Sequence, residues 1–281
     1  MICQPALPQR AFIPIKTMII HNGDCLDFLD DMTESSIDCI WTDPPYFLSN
    51  GGTTCKGGKQ VSVDKGEWDR LQCVETMHQF NTNWLTKCYR ILKPGGTIWV
   101  SGTHHNIHSI GFAMQAIGYK TLNNLVWEKP APPPNLLCNC FTHSYETIVF
   151  ASKGKGYTFN YDWLKTTNGG KQQKDIIRFG RPTKDEKSCG KHSTQKPLSL
   201  VRYCLQASTN PGDKVLDPFM GSGTTGVAAI GLELDFIGCE RELEYFQLAK
   251  QRIDYERRES KTEEAIERCL PERNEAIYSS S

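Results

Sequence analysis

The sequence lacks the features that would place a protein in or across a membrane. No run of about 18 apolar residues occurs, which is the length needed to span a bilayer. The first stretch, MICQPALPQRAFIPIKT, has no continuous apolar segment of signal-peptide length. We therefore expect a cytoplasmic protein with no membrane partner. The chain also lacks an excess of either charge, since 32 basic and 32 acidic residues cancel over 281 residues. A net charge of zero neither favours nor excludes a nucleic-acid partner.

Paired cysteine motifs are also missing. The 12 cysteines are scattered singly, and no CxxC pair occurs. We expect them to be reduced and to fill the core as small apolar side chains. Cys138 and Cys140, or the three histidines of THHNIH (His104, His105 and His108), could suggest a metal site. Matching ligand pairs are absent elsewhere in the sequence, so packing and loop polarity are favoured and no metal is expected.

The charges that cancel overall are unevenly distributed along the chain. Residues 153–191 contain ten Lys and Arg against four Asp and Glu, whereas residues 232–281 contain eight against thirteen. The chain therefore has a basic segment and an acidic tail. The basic segment is polar, contains glycines and interrupts the surrounding pattern, so we interpret it as an inserted module or a long excursion.

Short apolar stretches alternate with helix-like stretches along most of the chain. Strands are predicted at 18–22, 37–42, 97–101, 122–128, 147–151, 214–217 and 235–239. Helices are predicted at 79–92, 197–208, 224–232 and 243–259. This alternation predicts an α/β fold, with a mainly parallel sheet covered by helices on both faces.

The predicted elements and the charge distribution divide the chain into five parts. An N-terminal extension (1–17) precedes the first half of the main domain (18–152). The basic segment (153–191) separates this half from the second half (192–264), and a tail (265–281) follows.

The stretch KVLDPFMGSGTTGVAAIG, residues 214–231, carries the strongest cofactor signal. A strand is followed by a glycine-rich turn and a small-residue helix, and Gly221, Gly223 and Gly226 match the GxGxxG pattern. A Walker phosphate loop is excluded because no Lys-Ser/Thr pair closes the turn. A nicotinamide dinucleotide and S-adenosylmethionine (SAM) are the remaining candidates, with a purely structural turn as the plain alternative.

Acidic residues favour SAM over a dinucleotide. Asp217 precedes the glycines, Glu240 ends the next predicted strand, and Asp43 follows an earlier one. If the fold brings these carboxylates together, the site disfavours a pyrophosphate and suits a ligand with a sulfonium cation and a ribose. Glu240 is placed to accept hydrogen bonds from ribose hydroxyls, as an acid in this position does in dinucleotide-binding folds.

The stretch IDCIWTDPPYFLSNGG joins a predicted buried strand to the corner Asp43, Pro44, Pro45 and Tyr46. An exocyclic amine of a nucleobase is a poor nucleophile, and its methylation needs acceptors for its two hydrogens. The Asp43 carboxylate and the Pro44 carbonyl supply two, fixed in direction by proline, and Tyr46 offers a face for a flipped base. Transfer can be direct, without a covalent nucleophile. An ordinary type I turn is the alternative reading.

Two further observations bear on this chemistry. No Pro-Cys dipeptide occurs, which argues against methylation at cytosine carbon 5. Residues 47–69, after the corner, contain five glycines and three lysines, Lys56, Lys59 and Lys65. We expect this loop to close over a substrate and contact phosphates, while a mobile surface loop is the plainer interpretation.

The motifs DPPY, HSTQKP and DPFMGSGTT resemble those of the amino-group DNA methyltransferases. The corner comes first, the basic segment next and the glycine loop last, which resembles the beta class of these enzymes. The resemblance covers roughly residues 18–253 and implies a Rossmann-like SAM-dependent methyltransferase fold with circularly permuted motif order. It implies that a methyl group moves directly from SAM to the amino group of a flipped base in DNA. The two ends of the sequence do not resemble the class.

Several residue roles follow from this resemblance. The corner Asp43, Pro44, Pro45 and Tyr46 would handle the target base. The residues implied at the SAM site are Asp24 beside the adenine, Glu240 at the ribose, Thr194 and Lys196 at the carboxylate, and Asp217, Phe219, Gly221, Ser222, Gly223 and Thr224 in the pocket. The basic segment falls where this class carries target recognition, which makes Lys171, Lys174, Arg178 and Arg181 candidate DNA contacts.

Finer similarity extends to the biological role. DPPYFLSNGG, VSVDKGEWD, FTHSYETI and GGKQQKD are similar to adenine methylases of restriction–modification systems that read GATC, including the second methylase that accepts single strands, and to relatives that read GANTC. An acid in the first motif position is usual for adenine-N6 enzymes, with cytosine-N4 as the alternative. Relatives of this class often form homodimers, and a cognate restriction endonuclease would accompany such a system.

Other classes explain less of the sequence. A nicotinamide-dependent oxidoreductase would leave DPPY and the basic segment without a role, and a non-catalytic DNA-binding regulator would not require an intact Asp43 and glycine loop. RNA and protein amine methyltransferases have related corners, but there the glycine loop normally precedes the DPPY-like motif.

Overall fold

A computed structural model describes residues 17–47, 53–56, 59–62, 73–190 and 192–269, with backbone only for 53–56, 59–62 and 261–269. The strands are β1 (Met18–Asn22), β2 (Ile37–Thr42), β3 (Thr53–Lys56), β4 (Lys59–Ser62), β5 (Leu92–Gly102), β6 (Lys120–Glu128), β7 (Tyr145–Ser152), β8 (Ile176–Arg178), β9 (Lys214–Asp217) and β10 (Asp235–Glu240). The helices are α1 (Cys25–Asp30), α2 (Val74–Ile91), α3 (Ile107–Ile117), α4 (Tyr161–Thr167), α5 (Leu198–Ser208), α6 (Thr224–Ile230) and α7 (Leu243–Cys269), with a 3₁₀ turn at Asp185–Lys187.

Eight strands form one sheet in the order β1-β10-β9-β2-β5-β7-β6-β8, and β3 pairs with β4 separately. Within the eight-stranded sheet, all neighbouring pairs are parallel except those that involve β7, which runs antiparallel to both β5 and β6. The predicted α/β fold with a mainly parallel sheet is therefore confirmed. The reversal at β7 arises because a loop, residues 129–144, joins β6 to β7 without a crossover helix.

The sheet order places distant parts of the sequence side by side. Strand β2 lies between β9 and β5, with Ile40 opposite Leu216 on one side and Ile98 on the other. The strand before DPPY and the strand before the glycine loop are therefore parallel neighbours. Their carboxyl ends meet at one edge of the sheet, where parallel α/β folds bind ligands. The circularly permuted motif order thus produces a single site.

Strand β2 is buried on both faces, as expected for a central parallel strand. Cys39 and Trp41 pack in one apolar cluster with side chains of α5, α6 and α7, and Ile40 packs in a second cluster with α2 and α3. Cys39 and Ile40 have no exposed surface and Trp41 only 2%. This double burial fixes the direction in which the chain leaves β2 and enters the DPPY corner.

Three predicted strands coincide with β1, β2 and β9, and the other strand and helix predictions differ mainly at their ends. Strand β5 is longer than predicted, because it begins at Leu92, directly after α2 ends at Ile91, and includes the residues KPGG. The short helices α1 and α4 and the short strands β3, β4 and β8 were missed, as was α3, whose sequence begins in a polar histidine-rich stretch.

The basic segment is built onto the end of the sheet. Strand β8 pairs with β6, and Leu164 of α4 is buried in the core. The Asn160 amide donates to the carbonyls of Gln206 and Thr209 at 2.7 and 2.8 Å, which attaches the segment to α5. At the other end of the chain, α7 continues past residue 264, where we expected the tail to begin.

No helix in the described ranges is long and apolar enough to cross a membrane.

Candidate active site

A cavity of about 380 Å³ opens at the carboxyl edge of the sheet, within the range of about 300–1,000 Å³ typical of ligand sites. Residues that follow four neighbouring strands line it: Asp24 after β1, Asp43 after β2, Asp217 at the end of β9 and Glu240 at the end of β10. The expectation that Asp43, Asp217 and Glu240 share one site is confirmed.

The DPPY corner forms one wall of this cavity. Asp43, Pro44, Pro45 and Tyr46 all line it, and the Asn106 amide fixes the corner from outside by donating to the Pro45 carbonyl at 3.2 Å. Tyr46 is only 7% exposed. Its hydroxyl donates to Asp43 Oδ1 at 2.5 Å, so the tyrosine is tied to the acid three residues before it.

Lys196 enters the same corner from the HSTQKP motif. Its ammonium donates to Asp43 Oδ2 and, at 3.0 Å, to the Tyr46 hydroxyl, and it lies 3.5 Å from Glu146 Oε2. The side chain is 7% exposed. Lys196 and Thr194 line the cavity as predicted, and their role at the SAM carboxylate stays a prediction. The structure adds that the Lys196 charge is already shared between two carboxylates.

Glu146, the second residue of β7, was not predicted as a site residue. It is 8% exposed, and its Oε1 accepts from the Lys129 ammonium at 2.6 Å. Its position offers little local signal, because Glu146 lies next to the predicted strand 147–151 and about 100 residues from Tyr46. Only the pairing of β7 with β5 brings it to the corner.

The ionisation of this cluster follows from burial and mutual charge. Burial raises the pKa of Asp43, the Lys196 ammonium opposes this, and the net pKa lies above its ordinary value. Burial lowers the pKa of Lys196, but Asp43 and Glu146 raise it above its ordinary value. Burial likewise raises the pKa of Glu146, but Lys196 and Lys129 bring it below its ordinary value. Lys196 and Glu146 are therefore both charged near neutral pH.

The glycine loop forms the opposite wall. Gly221 and Gly223 have φ of +51° and +75°, which is left-handed backbone that favours glycine. The Gly221 N–H donates to Glu240 Oε2 at 2.9 Å, and the Glu242 N–H donates to Oε1 at 2.8 Å. These bonds fix the Glu240 carboxylate, and each oxygen keeps a second lone pair that can accept a ribose hydroxyl.

Arg252 of α7 supports the loop from beneath and was missed by the sequence interpretation. It is 5% exposed and donates to the Ser222 carbonyl at 2.6 Å, to the Ser222 hydroxyl at 2.9 Å and to the Thr224 hydroxyl at 3.1 Å. Ser222 and Thr224 line the cavity, but their hydroxyls are engaged with this arginine. The helical pattern around Arg252 gave no indication that it points inward.

Asp217 and Phe219 lie where β9 meets the loop. Asp217 is 2% exposed and accepts from the Thr225 hydroxyl at 2.5 Å and from the Phe219 N–H at 3.1 Å. Burial raises its pKa to about 7. The Phe219 ring packs edge-on against Trp84. Asp24, at the far end of the cavity, accepts from the Leu26 N–H at 2.8 Å and so begins α1.

The electrostatics of the cavity fit SAM better than a dinucleotide. The charged residues that line it are Asp24, Asp43, Asp217, Glu240 and Glu242 on the acidic side and Lys196 and Arg241 on the basic side. This excess of carboxylates disfavours a pyrophosphate and suits a sulfonium cation.

The predicted DNA contacts are dispersed. Lys171 and Lys174 are exposed before β8, whereas Arg178 forms a two-bond ion pair with Glu128 at 2.7 and 2.9 Å and Arg181 donates to the Ala131 carbonyl at 2.8 Å. Arg178 ends β8 at the edge that carries the cavity. For Lys56 and Lys59 only the backbone of β3 and β4 is described, and Lys65 lies outside the described residues.

The weak metal candidates do not come together. Within the described ranges no group of three or more His, Cys, Asp or Glu side chains could hold a metal ion. Cys138 and Cys140 are exposed free thiols, and His104 stacks on His143 with ring centroids 4.7 Å apart.

Comparison with known proteins agrees with this geometry. The sequence model of the DNA methylase family (N6_N4_Mtase) matches residues 37–251. Type II methyltransferase M2.DpnII of Streptococcus pneumoniae is 48% identical over 242 residues, which cover 85% of this chain and 90% of that protein.

Two solved structures are similar as well. The crystal structure of the M1.HpyAVI–SAM complex matches with a TM-score of 0.63 and 29% identity, over 84% of this chain and 98% of that one. The PvuII DNA methyltransferase, described as cytosine-N4-specific, matches with a TM-score of 0.67 and 20% identity, over 86% and 89%. At 20% identity the second likeness concerns the fold alone.

Proposed function

This chain belongs to the DNA methylase family, and from that premise we propose that it transfers a methyl group from SAM to the exocyclic N6 amine of a flipped adenine in a specific DNA sequence. The observation that carries the proposal is the shared cavity: the DPPY corner and the glycine loop face one another across it. Neither motif alone defines a reaction, but together they place an amine acceptor site beside a cofactor site.

The corner supplies the acceptors for the amine. The Asp43 carboxylate accepts one N6 hydrogen and the Pro44 carbonyl accepts the other, which directs the nitrogen lone pair away from the ring. Tyr46 lines the same wall and offers its ring to the extruded base. SAM, when bound, supplies an activated methyl group together with its leaving group.

Proton balance assigns Asp43 a second role. The N6 nitrogen carries one proton too many once its new bond to carbon has formed, and that proton leaves to Asp43 and then to water. Burial helps this step, because a carboxylate whose pKa lies above its ordinary value is a better proton acceptor. No cysteine nucleophile is needed, which agrees with the absence of a Pro-Cys dipeptide.

The residues of the opposite wall hold the cofactor. Glu240 receives the ribose hydroxyls, Asp24 lies beside the adenine, and Thr194 with Lys196 meets the carboxylate. Gly221 lines the cavity and lets the backbone approach the ligand closely, whereas Gly223 allows the loop to pack closely against Ala249 of α7. The acidic lining and the size of the cavity support this assignment.

Adenine is preferred over cytosine because the first motif position is an acid, Asp43. The main alternative is N4 methylation of cytosine, since the fold is shared with a cytosine-N4-specific enzyme and the two amines are chemically alike. RNA or protein amines are less favoured acceptors. A GATC-like target within a restriction–modification system is the finer proposal.

The partners follow from this role. DNA, double-stranded and also single-stranded, is the substrate, with Lys171, Lys174, Arg178 and Arg181 of the basic segment in target recognition and Lys56, Lys59 and Lys65 at phosphates. A homodimer and a cognate restriction endonuclease are further proposals, supported by the resemblance. A cytoplasmic location is a further proposal.

The test is transfer of a labelled methyl group from SAM to mixed-sequence DNA, in single- and double-stranded form, followed by nucleoside digestion and mass identification. N6-methyladenine is the expected product, and sequencing of the modified sites would give the target. N4-methylcytosine would retain the mechanism and overturn the choice of base. SAM binding without any label in DNA would contradict the proposed substrate and direct the search to RNA and protein amines.

A further inference from the structure

One buried carboxylate at the active corner has no role in the reaction described so far. Glu146 reaches the corner from β7, on the opposite side of β5 from the DPPY strand. Its Oε2 lies 3.2 Å from the Tyr46 hydroxyl and 3.5 Å from the Lys196 ammonium, and its Oε1 accepts from Lys129 at 2.6 Å. Glutamate is rarely buried to 8% exposure without a partner that requires it.

Four side chains at this corner form a row of alternating charge. Lys129, Glu146, Lys196 and Asp43 follow one another through the contacts between Lys129 and Glu146, Glu146 and Lys196, and Lys196 and Asp43. The row sums to zero, and its most exposed member, Lys129 at 29%, lies at the outer end. Burial of an ion is costly unless it is paired, so the row is balanced only when all four members are present.

The row decides how strongly Lys196 binds Asp43. An ammonium that faced Asp43 alone would form a tight ion pair, and this pair would compete with the amine for the carboxylate oxygens. A second carboxylate on the other side of the ammonium divides its charge. Asp43 is then less completely neutralised and stays a better acceptor for hydrogen bonds and for the proton that leaves N6.

Glu146 also bears on the aromatic wall. The Tyr46 hydroxyl lies 2.5 Å from Asp43 Oδ1, 3.2 Å from Glu146 Oε2 and 3.4 Å from the Ser101 hydroxyl. The hydroxyl has a single hydrogen, which it donates to the nearer Asp43, and Glu146 Oε2 is its alternative acceptor. The ring on which the base would stack is thereby fixed in orientation.

We propose that Glu146 is a positioning residue for methyl transfer, which shares the Lys196 ammonium with Asp43 and holds the Tyr46 hydroxyl, so that Asp43 remains an effective acceptor for the amine. The inference rests on the proposed function and names a further residue of the same site. Lys129 acts only through Glu146, by orienting its carboxylate.

The test is the substitution Glu146→Gln, which keeps the shape of the side chain and removes its charge. We expect kcat to fall about tenfold or more, equivalent to about 1.4 kcal/mol or more of activation free energy, while the Kd for SAM changes less than about threefold. The matched control is Glu34→Gln, because Glu34 is exposed and precedes β2 at the opposite edge of the sheet; it should match the wild type in both quantities. An unchanged kcat in Glu146→Gln, or an equal loss in SAM binding, would overturn the proposal.

A double-mutant cycle with Lys129→Met tests the proposed order of action, and the single Lys129→Met variant keeps the proposal testable if Glu146→Gln folds poorly. Lys129 is partly exposed, so this replacement should fold, and we expect it to lower kcat about threefold with SAM binding unchanged. In the Glu146→Gln background it should add little further loss. Additive losses would contradict a role through Glu146. Wild-type protein that transfers no methyl to DNA would instead defeat the proposed function, so the two failures are distinguishable.

Discussion

Asp43 and Asp217 are two carboxylates at the ends of adjacent strands, and their surroundings differ sharply. Asp43 faces the Lys196 ammonium and the Tyr46 hydroxyl. Asp217 is held by neutral donors, the Thr225 hydroxyl and the Phe219 N–H. Burial raises the pKa of both, but only Asp43 has a cation in direct contact to oppose that rise.

The difference shows how one sheet edge supports two tasks. The Asp43 corner is a balanced ionic cluster, in which a charge can be presented to a reacting amine. The Asp217 corner is a turn built from backbone conformation, neutral hydrogen bonds and the supporting Arg252, which suits the holding of a ligand. Substitutions should therefore separate transfer from binding.

The largest expected effect is that of Asp43→Ala. Loss of the carboxylate removes the acceptor for the amine, so methyl transfer should fall by about three orders of magnitude. The Kd for SAM, measured by calorimetry, should stay within about threefold, because Glu240 and the glycine loop are untouched. A loss of SAM affinity as large as the loss of methyl transfer would mean that Asp43 also serves SAM binding, so that the two corners do not have separate functions.

Gly223→Ala, in contrast, should weaken SAM binding. An added Cβ would lie 2.9 Å from the Ala249 Cβ and 3.0 Å from its Cα, and φ of +75° costs an L-residue about 1–2 kcal/mol. We expect SAM affinity to fall about tenfold or more and unfolding free energy to fall about 2–4 kcal/mol.

Gly154→Ala is the matched control for this substitution. Its φ is +82° and no atom lies within 4 Å of the added Cβ, so it should show the backbone strain of about 1–2 kcal/mol without loss of SAM affinity. Equal SAM affinities for the two variants would mean that the glycine loop is not the cofactor wall.

The raised pKa of Asp217 gives a pH dependence of stability. An aspartate titrates near 3.9 in the unfolded chain and near 7 in the fold, so between these values the folded state holds a proton that the unfolded state has lost. Stability therefore falls as pH rises through this window. Asp217→Asn should remove that fall, and its unfolding free energy relative to wild type should rise by about 2–3 kcal/mol between pH 5 and pH 8.

Urea unfolding of both proteins at the two pH values, without SAM, measures this difference. If the unfolding free energies of both proteins changed equally between the two pH values, Asp217 would already be ionised at pH 5. The electrostatic difference between Asp217 and Asp43 would then be contradicted.

The smallest effect is expected outside both corners. Replacing Lys171 and Lys174 with Gln should weaken DNA binding several-fold and reduce the slope of log K against log salt by about 2, with SAM binding unchanged. Lys250→Gln, an exposed lysine of α7, is the control and should leave the slope unaltered. An unchanged slope in the double variant would move target recognition away from this part of the basic segment.

Much of this architecture could be predicted because the relevant signals are local. Strands β1, β2 and β9 are short apolar stretches bounded by turn residues, and their predicted bounds agree with the structure. The DPPY and glycine-loop residues were identified because few structures require an aspartate, prolines and glycines at such fixed spacing. The start of β5 was predicted five residues too late, because the proline and glycines of KPGG disfavour a strand locally, and the pairing of Leu92 with Ile37 extends the strand.

The sequence by itself determined the chemistry that each corner offers: an acid and a carbonyl fixed by proline at 43–46, and a close backbone approach at 221–223. Only the tertiary structure decided which distant charges complete those corners. Glu146 and Arg252 come from elements whose local patterns give no reason for burial, and Arg178 is paired with Glu128 across two strands. The physical reason is that an ion's partner is set by distance in space, which strand order fixes and residue spacing along the chain does not.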